Sequence, residues 1–253
     1  MTVTLKDAAA ISAMRRAGRV VAEMHEACRE LVRPGVTTAA LDEACAGILD
    51  RRGATSNFLG YPGVTRAFPG VLCASPNDVV VHGFPDDRPL SDGDLLSVDT
   101  GAVVDGWHAD AAITIAVGEV DDEARALIAA TEAALEDGIA AAVAGSRIGD
   151  VGHAVQARAE AAGFEVVREY AGHGIGREMH EDPAVPSHGR RGSGLRIRIG
   201  LCIAIEPIVV AGSPRTHLRD DGWTVVTADG SRAAHFEHSV AVTADGPVVL
   251  TAP

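Results

Sequence analysis

The chain lays down one order of patterns twice: two helices and then a run of strands, with the second copy about 110 residues after the first. From Asp7, apolar residues at Ile11, Met14, Val21, Met24, Cys28 and Leu31 recur at helical spacing, and Pro34–Gly35 end the run. Thr37 or Thr38 caps a second helix through Leu41, Cys45, Ile48 and Leu49 to Gly53. A loop-rich stretch reaches about residue 70, after which DVVVHGF, DLLSVDTGAVV and WHADAAITIAV read as strands. The second copy has a long helix in DDEARALIAATEAALEDGIAAAVAG and a shorter one in IGDVGHAVQARAEAAG, closed by Gly163. Strands follow in FEVVREY, LCIAIEPIVV, WTVVTADG and HFEHSVAVTADGPVVLT. Residue-level similarity between the copies is weak, and no Pro/Ser-rich linker parts them. The expectation is one α+β domain over 1–253, with halves of about 7–118 and 121–251 packed around a shared sheet.

Charge narrows the possible partners. The net charge is −13, and the densest basic run, HGRRGSGLRIRIG, is short, broken by glycines and free of aromatics. It reads as a solvated loop, so no nucleic-acid partner is expected. Carboxylates gathered around cations would account for part of the acidity. Cys28, Cys45, Cys73 and Cys202 lack the spacing of a zinc knuckle and suit free thiols in a reducing compartment. The N-terminus is polar rather than signal-like, and no apolar run approaches the roughly 18 residues of a membrane span. A cytoplasmic chain with no membrane partner is expected.

The chemistry-bearing residues stand in apolar surroundings. In SVDTGAVVDGWHADAAIT, Asp105–Gly106 is a two-residue hairpin turn between two β-prone runs. That turn sets Gly101 opposite Asp110 and puts Asp99 one diagonal step away, so both aspartates project from one face. Diagonal neighbours lie about 7–8 Å apart, a gap two carboxylates span by gripping a cation. Glu206 in LCIAIEPIVV and Glu237 in HFEHSVAV likewise enter apolar runs, where ionised carboxyls are paired or metal-bound. The stretch EYAGHGIGREMHEDP adds His173 and His180 around a run of glycines. It reads either as an exposed loop or as one that carries imidazoles to a substrate or an ion. Four acids and a histidine make an oxygen-rich site suited to Mn²⁺, Fe²⁺ or Co²⁺, with Zn²⁺ also compatible. The acids outnumber the needs of one ion, which points to a pair bridged by carboxylates and to metal-assisted hydrolysis.

HADAAIT, GHGIGREMHEDP, IAIEPIV and HFEHSVAVT, in this order and with these separations, resemble the type I methionine aminopeptidases. The resemblance extends from MRRAGRVVAEM and VRPGVTTAALDE through SPNDVVVHGFPD and LSDGDLLSVDTG to DDGWTVVTADGS. It implies the pita-bread fold, with two pseudo-symmetric halves. It also implies two divalent ions held by Asp99, Asp110, His173, Glu206 and Glu237, with Asp110 and Glu237 bridging. Glu206 would double as general base. His82 would face the amide side of the scissile bond, and His180 would donate to its carbonyl oxygen. Phe68, Cys73, Met179 and Trp223 match the methionine pocket. Two departures stand out. GYPG at 60–63 is displaced upstream by VTRA, so a pocket tyrosine is either missing or supplied by Tyr61. Ala111 replaces the usual hydroxyl residue after the second aspartate.

The implied activity is removal of the initiator methionine from nascent chains whose second residue is small. The partners would be nascent N-termini, at the ribosome or free, and the protein a monomer. Two alternatives remain at this stage: an Xaa-Pro aminopeptidase or prolidase-like peptidase, and a non-catalytic binding protein on the same fold.

Overall fold

The computed structural model describes residues 3–253. In the first half, helices α1 (Ala8–Leu31) and α2 (Thr38–Arg52) precede β1 (Thr55–Ser56), β2 (Leu72–Pro76), β3 (Val79–Val81), β4 (Leu95–Val104) and β5 (Trp107–Ala116). In the second, α3 (Asp122–Ala141) and α4 (Ile148–Ala161) precede β6 (Glu165–Val166), β7 (Ala171–Gly174), β8 (Glu181–Pro186), β9 (Cys202–Ile205) and β10 (Ile208–Val210). The chain continues through β11 (Thr216–Leu218), β12 (Val225–Thr227), β13 (Ala233–His235), β14 (Glu237–Thr243) and β15 (Gly246–Val249). The expected α+β class holds.

The helix ends follow from local chemistry. Asp7, Thr37 and Asp121 each accept a backbone N–H three residues on, which satisfies a donor the first turn leaves free. Gly53 ends α2 in the left-handed conformation that spares it a Cβ clash.

Among the described residues, the main sheet runs β1-β4-β5-β14-β9-β7-β8, with β2 beside β4 and β15 beside β14. Strands of both halves therefore meet at the β5–β14 pair, where Glu237 lies opposite Ala112. The helices cover one face of this sheet. Ala109, Ala111 and Ile113 of β5 point to that side and join Val21 and Met24 of α1 in the core. The intervening residues, Asp110 among them, point to the other side.

Three elements differ from the sequence expectation. LCIAIEPIVV is two strands, because Pro207 has no N–H to give to a ladder; β9 stays in the main sheet while β10 pairs with β13 and β6. HFEHSVAVTADGPVVLT likewise divides into β13, β14 and β15. The region of His173 and His180 is a hairpin, β7 to β8, rather than a loop throughout. Its glycines serve closeness more than turning: a Cβ on Gly174 would fall 2.3 Å from the carbonyl oxygen of Asp182.

Candidate metal centre

The hairpin of β4 and β5 sets the first two acids. Asp105 and Gly106 both have positive φ, 52° and 71°, as a two-residue turn of this hand requires. The resulting register pairs Gly101 with Asp110 and Asp99 with Ala112, as the turn predicted. Cys73 of β2 pairs with Asp99, and Glu237 of β14 pairs with Ala112. Directly paired residues share a face, so Cys73, Asp99 and Glu237 form a row across the sheet, with Asp110 two residues along β5 on the same side. His238 pairs with Ile205, which brings Glu206, the next residue after β9, beside Glu237. His173 comes from β7, the following strand.

These residues line one cavity of about 190 Å³, together with His82, His180, Phe58, Tyr61, Phe68, Met179 and Trp223. Every candidate ligand, histidine and pocket residue named from the sequence is present. Ala111 is on the helix side of β5, so its missing hydroxyl lies away from the acids. Tyr61 does reach the cavity wall. Phe58 was not anticipated; it packs edge-on to Phe68, with ring centroids 6.3 Å apart. His82 enters with φ of 60°, a conformation uncommon outside glycine that turns it out of β3. Its ring stands edge-on between Tyr170 and Trp223.

The acids are under strong electrostatic tension. Oδ1 of Asp99, Oδ1 of Asp110 and Oε1 of Glu237 are buried without a hydrogen-bond partner among the described residues. Burial raises all four carboxyls. Asp99 reaches about 7, and Glu206 about 8 with Asp99 adding to the effect, although 14% of the Glu206 side chain reaches solvent. Asp110 and Glu237 are pushed well up, by burial first and then by neighbouring carboxylates. Such a cluster is unfavourable in a folded chain unless something positive compensates it.

The donor set fits a divalent metal. Asp110, His173 and Glu237 each offer one ligand atom within 4.8 Å of the others. Nδ1 of His173 lies 2.9 Å from the carbonyl oxygen of Gly174, which can only accept, so the proton sits on Nδ1 and Nε2 keeps its lone pair. That Nε2 is 3.8 Å from Oε1 of Glu206. Burial lowers the pKa of His173 to about 4, with His180 contributing, so the ring is neutral as a ligand must be.

His235 is a further member that sequence reasoning missed. It is buried, and its Nε2 lies 3.9 Å from both Glu206 Oε2 and Glu237 Oε2. Its signal was its position two residues before Glu237, on an alternating run. Ser239 supports the row from within: its Oγ accepts from the Asp110 N–H and donates to the Asp110 carbonyl.

Residues 12–244 match the family described as Metallopeptidase family M24. Methionine aminopeptidase 1 of Mycobacterium tuberculosis is 48% identical over 256 residues, covering 98% of this chain and 95% of its own. The crystal structure of methionine aminopeptidase from Thermotoga maritima superposes with a TM-score of 0.96 at 40% identity, over all of both chains. A prolidase from Pyrococcus furiosus shares the fold at 19% identity and a TM-score of 0.79, with 65% of its chain covered. With the acids, the neutral histidine and the full-length matches in agreement, the chain belongs to metallopeptidase family M24.

Proposed function

We propose that the protein is a metal-dependent aminopeptidase that removes N-terminal methionine from nascent proteins and peptides, preferentially before a small second residue. The observation that carries this reading is the group of buried carboxylates, three of them with an oxygen that has no partner among the described residues, lining one cavity with histidines and aromatic side chains. Relatives of nearly equal length bearing the name methionine aminopeptidase support it.

Asp99, Asp110, His173, Glu206 and Glu237 would hold two divalent ions. Mn²⁺, Fe²⁺, Co²⁺ and Zn²⁺ are the candidates, and when bound they would make water nucleophilic at neutral pH and polarise the scissile carbonyl. The side chains supply the remaining functions. Glu206, at the cavity wall beside His173, accepts a proton from the attacking water and returns it to the leaving amine. His180, at the cavity wall, donates a hydrogen bond to the carbonyl oxygen as it gains charge. His82, which burial keeps neutral with a pKa of about 4, faces the amide side. Phe58, Tyr61, Phe68, Cys73, Met179 and Trp223 receive the thioether, a group that packs well against aromatic edges. Burial raises the Cys73 thiol, so it stays neutral and serves as apolar wall.

The working form is taken to be a cytoplasmic monomer acting on emerging N-termini, at the ribosome or after release. Its cysteines are all free and buried, and no helix among the described residues is long and apolar enough to cross a membrane.

The test is hydrolysis of Met-Ala-Ser, Met-Leu-Ser and Ala-Pro-Ala by chelator-stripped protein refilled with each metal, with Glu206→Ala as control. Cleavage of Met-Ala-Ser alone, lost in the variant, is the expected result. Cleavage of Ala-Pro-Ala would move the protein to the Xaa-Pro branch, and metal binding without cleavage would leave a binding protein.

A further inference from the structure

Two histidines of the cavity wall touch edge to face, ring centroids 4.4 Å apart, and their Nδ1 atoms have opposite kinds of partner. His173 Nδ1 meets a carbonyl oxygen. His180 Nδ1 lies 3.0 Å from the hydroxyl of Tyr61, whose ring stands edge-on to the imidazole. A phenol is a better proton donor than a neutral imidazole N–H, and an imidazole nitrogen a better acceptor than a phenol oxygen. The favoured arrangement therefore has Tyr61 donating to Nδ1. A neutral ring carries one N–H, which is then on Nε2.

We infer that Tyr61 is a positioning residue that holds His180 as its Nε2–H tautomer, so that the ring offers the cavity a donor where neighbouring His173 offers a lone pair. The catalytic consequence rests on the aminopeptidase reading; the tautomer does not.

Tyr61 is held in turn by the loop that follows it. The N–H of Gly60 donates to the Phe68 carbonyl and the N–H of Phe68 to the Tyr61 carbonyl, each at 2.9 Å, so the intervening residues form a closed loop. Its far side is fastened to the opposite wall: Trp223 Nε1 donates to the Arg66 carbonyl at 2.8 Å, and Thr65 Oγ1 donates to the Asp221 carbonyl. Gly63 packs so tightly beneath Trp223 that a Cβ would lie 2.5 Å from the indole. The loop thus sets Tyr61 and Trp223 against each other, with ring centroids 6.4 Å apart, and aims the phenol at His180.

The experiment compares wild type with Tyr61→Phe, which keeps the ring and its packing. Long-range proton–nitrogen NMR on ¹⁵N-histidine-labelled, metal-free protein reads the tautomer directly. Wild type is expected to show His180 with a bare Nδ1 and a protonated Nε2, and Tyr61→Phe a mixture of tautomers. On the metal-loaded enzyme the variant should lose about tenfold in kcat on Met-Ala-Ser, with KM and metal affinity within about twofold, since a donor is misplaced part of the time rather than deleted. A protonated Nδ1 in wild type, or an unaltered His180 spectrum in Tyr61→Phe, would overturn the inference. If the spectra behave as expected while wild type cleaves no peptide, the positioning stands and the aminopeptidase reading falls.

Discussion

His25 is enclosed by α1 and the helix-facing side of the sheet, its Nε2 is buried without a partner among the described residues, and burial, with Arg29 next, lowers its pKa to about 3. The unfolded chain takes up a proton at this residue near pH 6.5, the native chain only near 3. Between those values the unfolded state binds more protons, so stability at this site is full above pH 6.5 and falls as pH drops, by up to about 1.4 kcal/mol per unit. Denaturant titrations of wild type and His25→Phe at pH 7.0, 6.0 and 5.0 should show the shallower decline in the variant. Equal slopes would mean that His25 is not held neutral in the native protein.

At the scale of single elements, the β7–β8 hairpin depends on Glu181. Its Oε1 accepts the backbone N–H of Arg177 at 2.8 Å, and its Oε2 meets Lys6 Nζ and Thr4 Oγ1, each at 2.5 Å. Lys6 and Glu181 are almost wholly enclosed, with side-chain exposures of 4% and 12%. Burial opposes the charge on Glu181, but the bonds from Lys6 and Thr4 outweigh it and its pKa is lowered. Removing one member of such a pair strands the other, so Glu181→Ala should cost about 3–5 kcal/mol in unfolding free energy. Adding Lys6→Met should restore much of that loss, a coupling that a double-mutant cycle would measure. The same hairpin marks how far the sequence could be read. Asp105–Gly106 fixed the β4–β5 register, because a two-residue turn allows few geometries. The run around His173 disclosed its histidines but not its strands, because glycines placed for close backbone approach look like a flexible loop. His235 and the Tyr61–His180 bond escaped because both depend on segments brought together from distant parts of the chain. The strand LCIAIEPIVV looked continuous because its apolar character persists across Pro207, although its hydrogen bonding does not.

For the molecule as a whole, the carboxylate row sets stability against function. Asp110→Asn removes one of four crowded, buried carboxyls, its Oδ1 without a partner among the described residues, so the metal-free variant should be at least as stable as metal-free wild type. Adding metal should reverse the order. At a hundredfold excess over the dissociation constant, binding stabilises wild type by about 2.7 kcal/mol, which raises Tm by roughly 5–10 °C for a chain of this size. Calorimetry of both proteins with and without Mn²⁺ checks the crossover, and a wild type whose Tm ignores the metal would contradict it.

The acids also come from both halves: Asp99 and Asp110 from β4 and β5, Glu206 and Glu237 from beside β9 and within β14. The bonds between Asp110 and Ser239 close 129 residues of chain. During synthesis the first half can emerge and collapse without acquiring any part of the second pair of acids. A stalled chain ending just before β14 would carry Asp99, Asp110, His173 and Glu206 but lack Glu237 and the strand that joins the two halves of the sheet. Competence arrives all at once, when β14 slots between β5 and β9, so each newly made molecule is inert until that strand has been made.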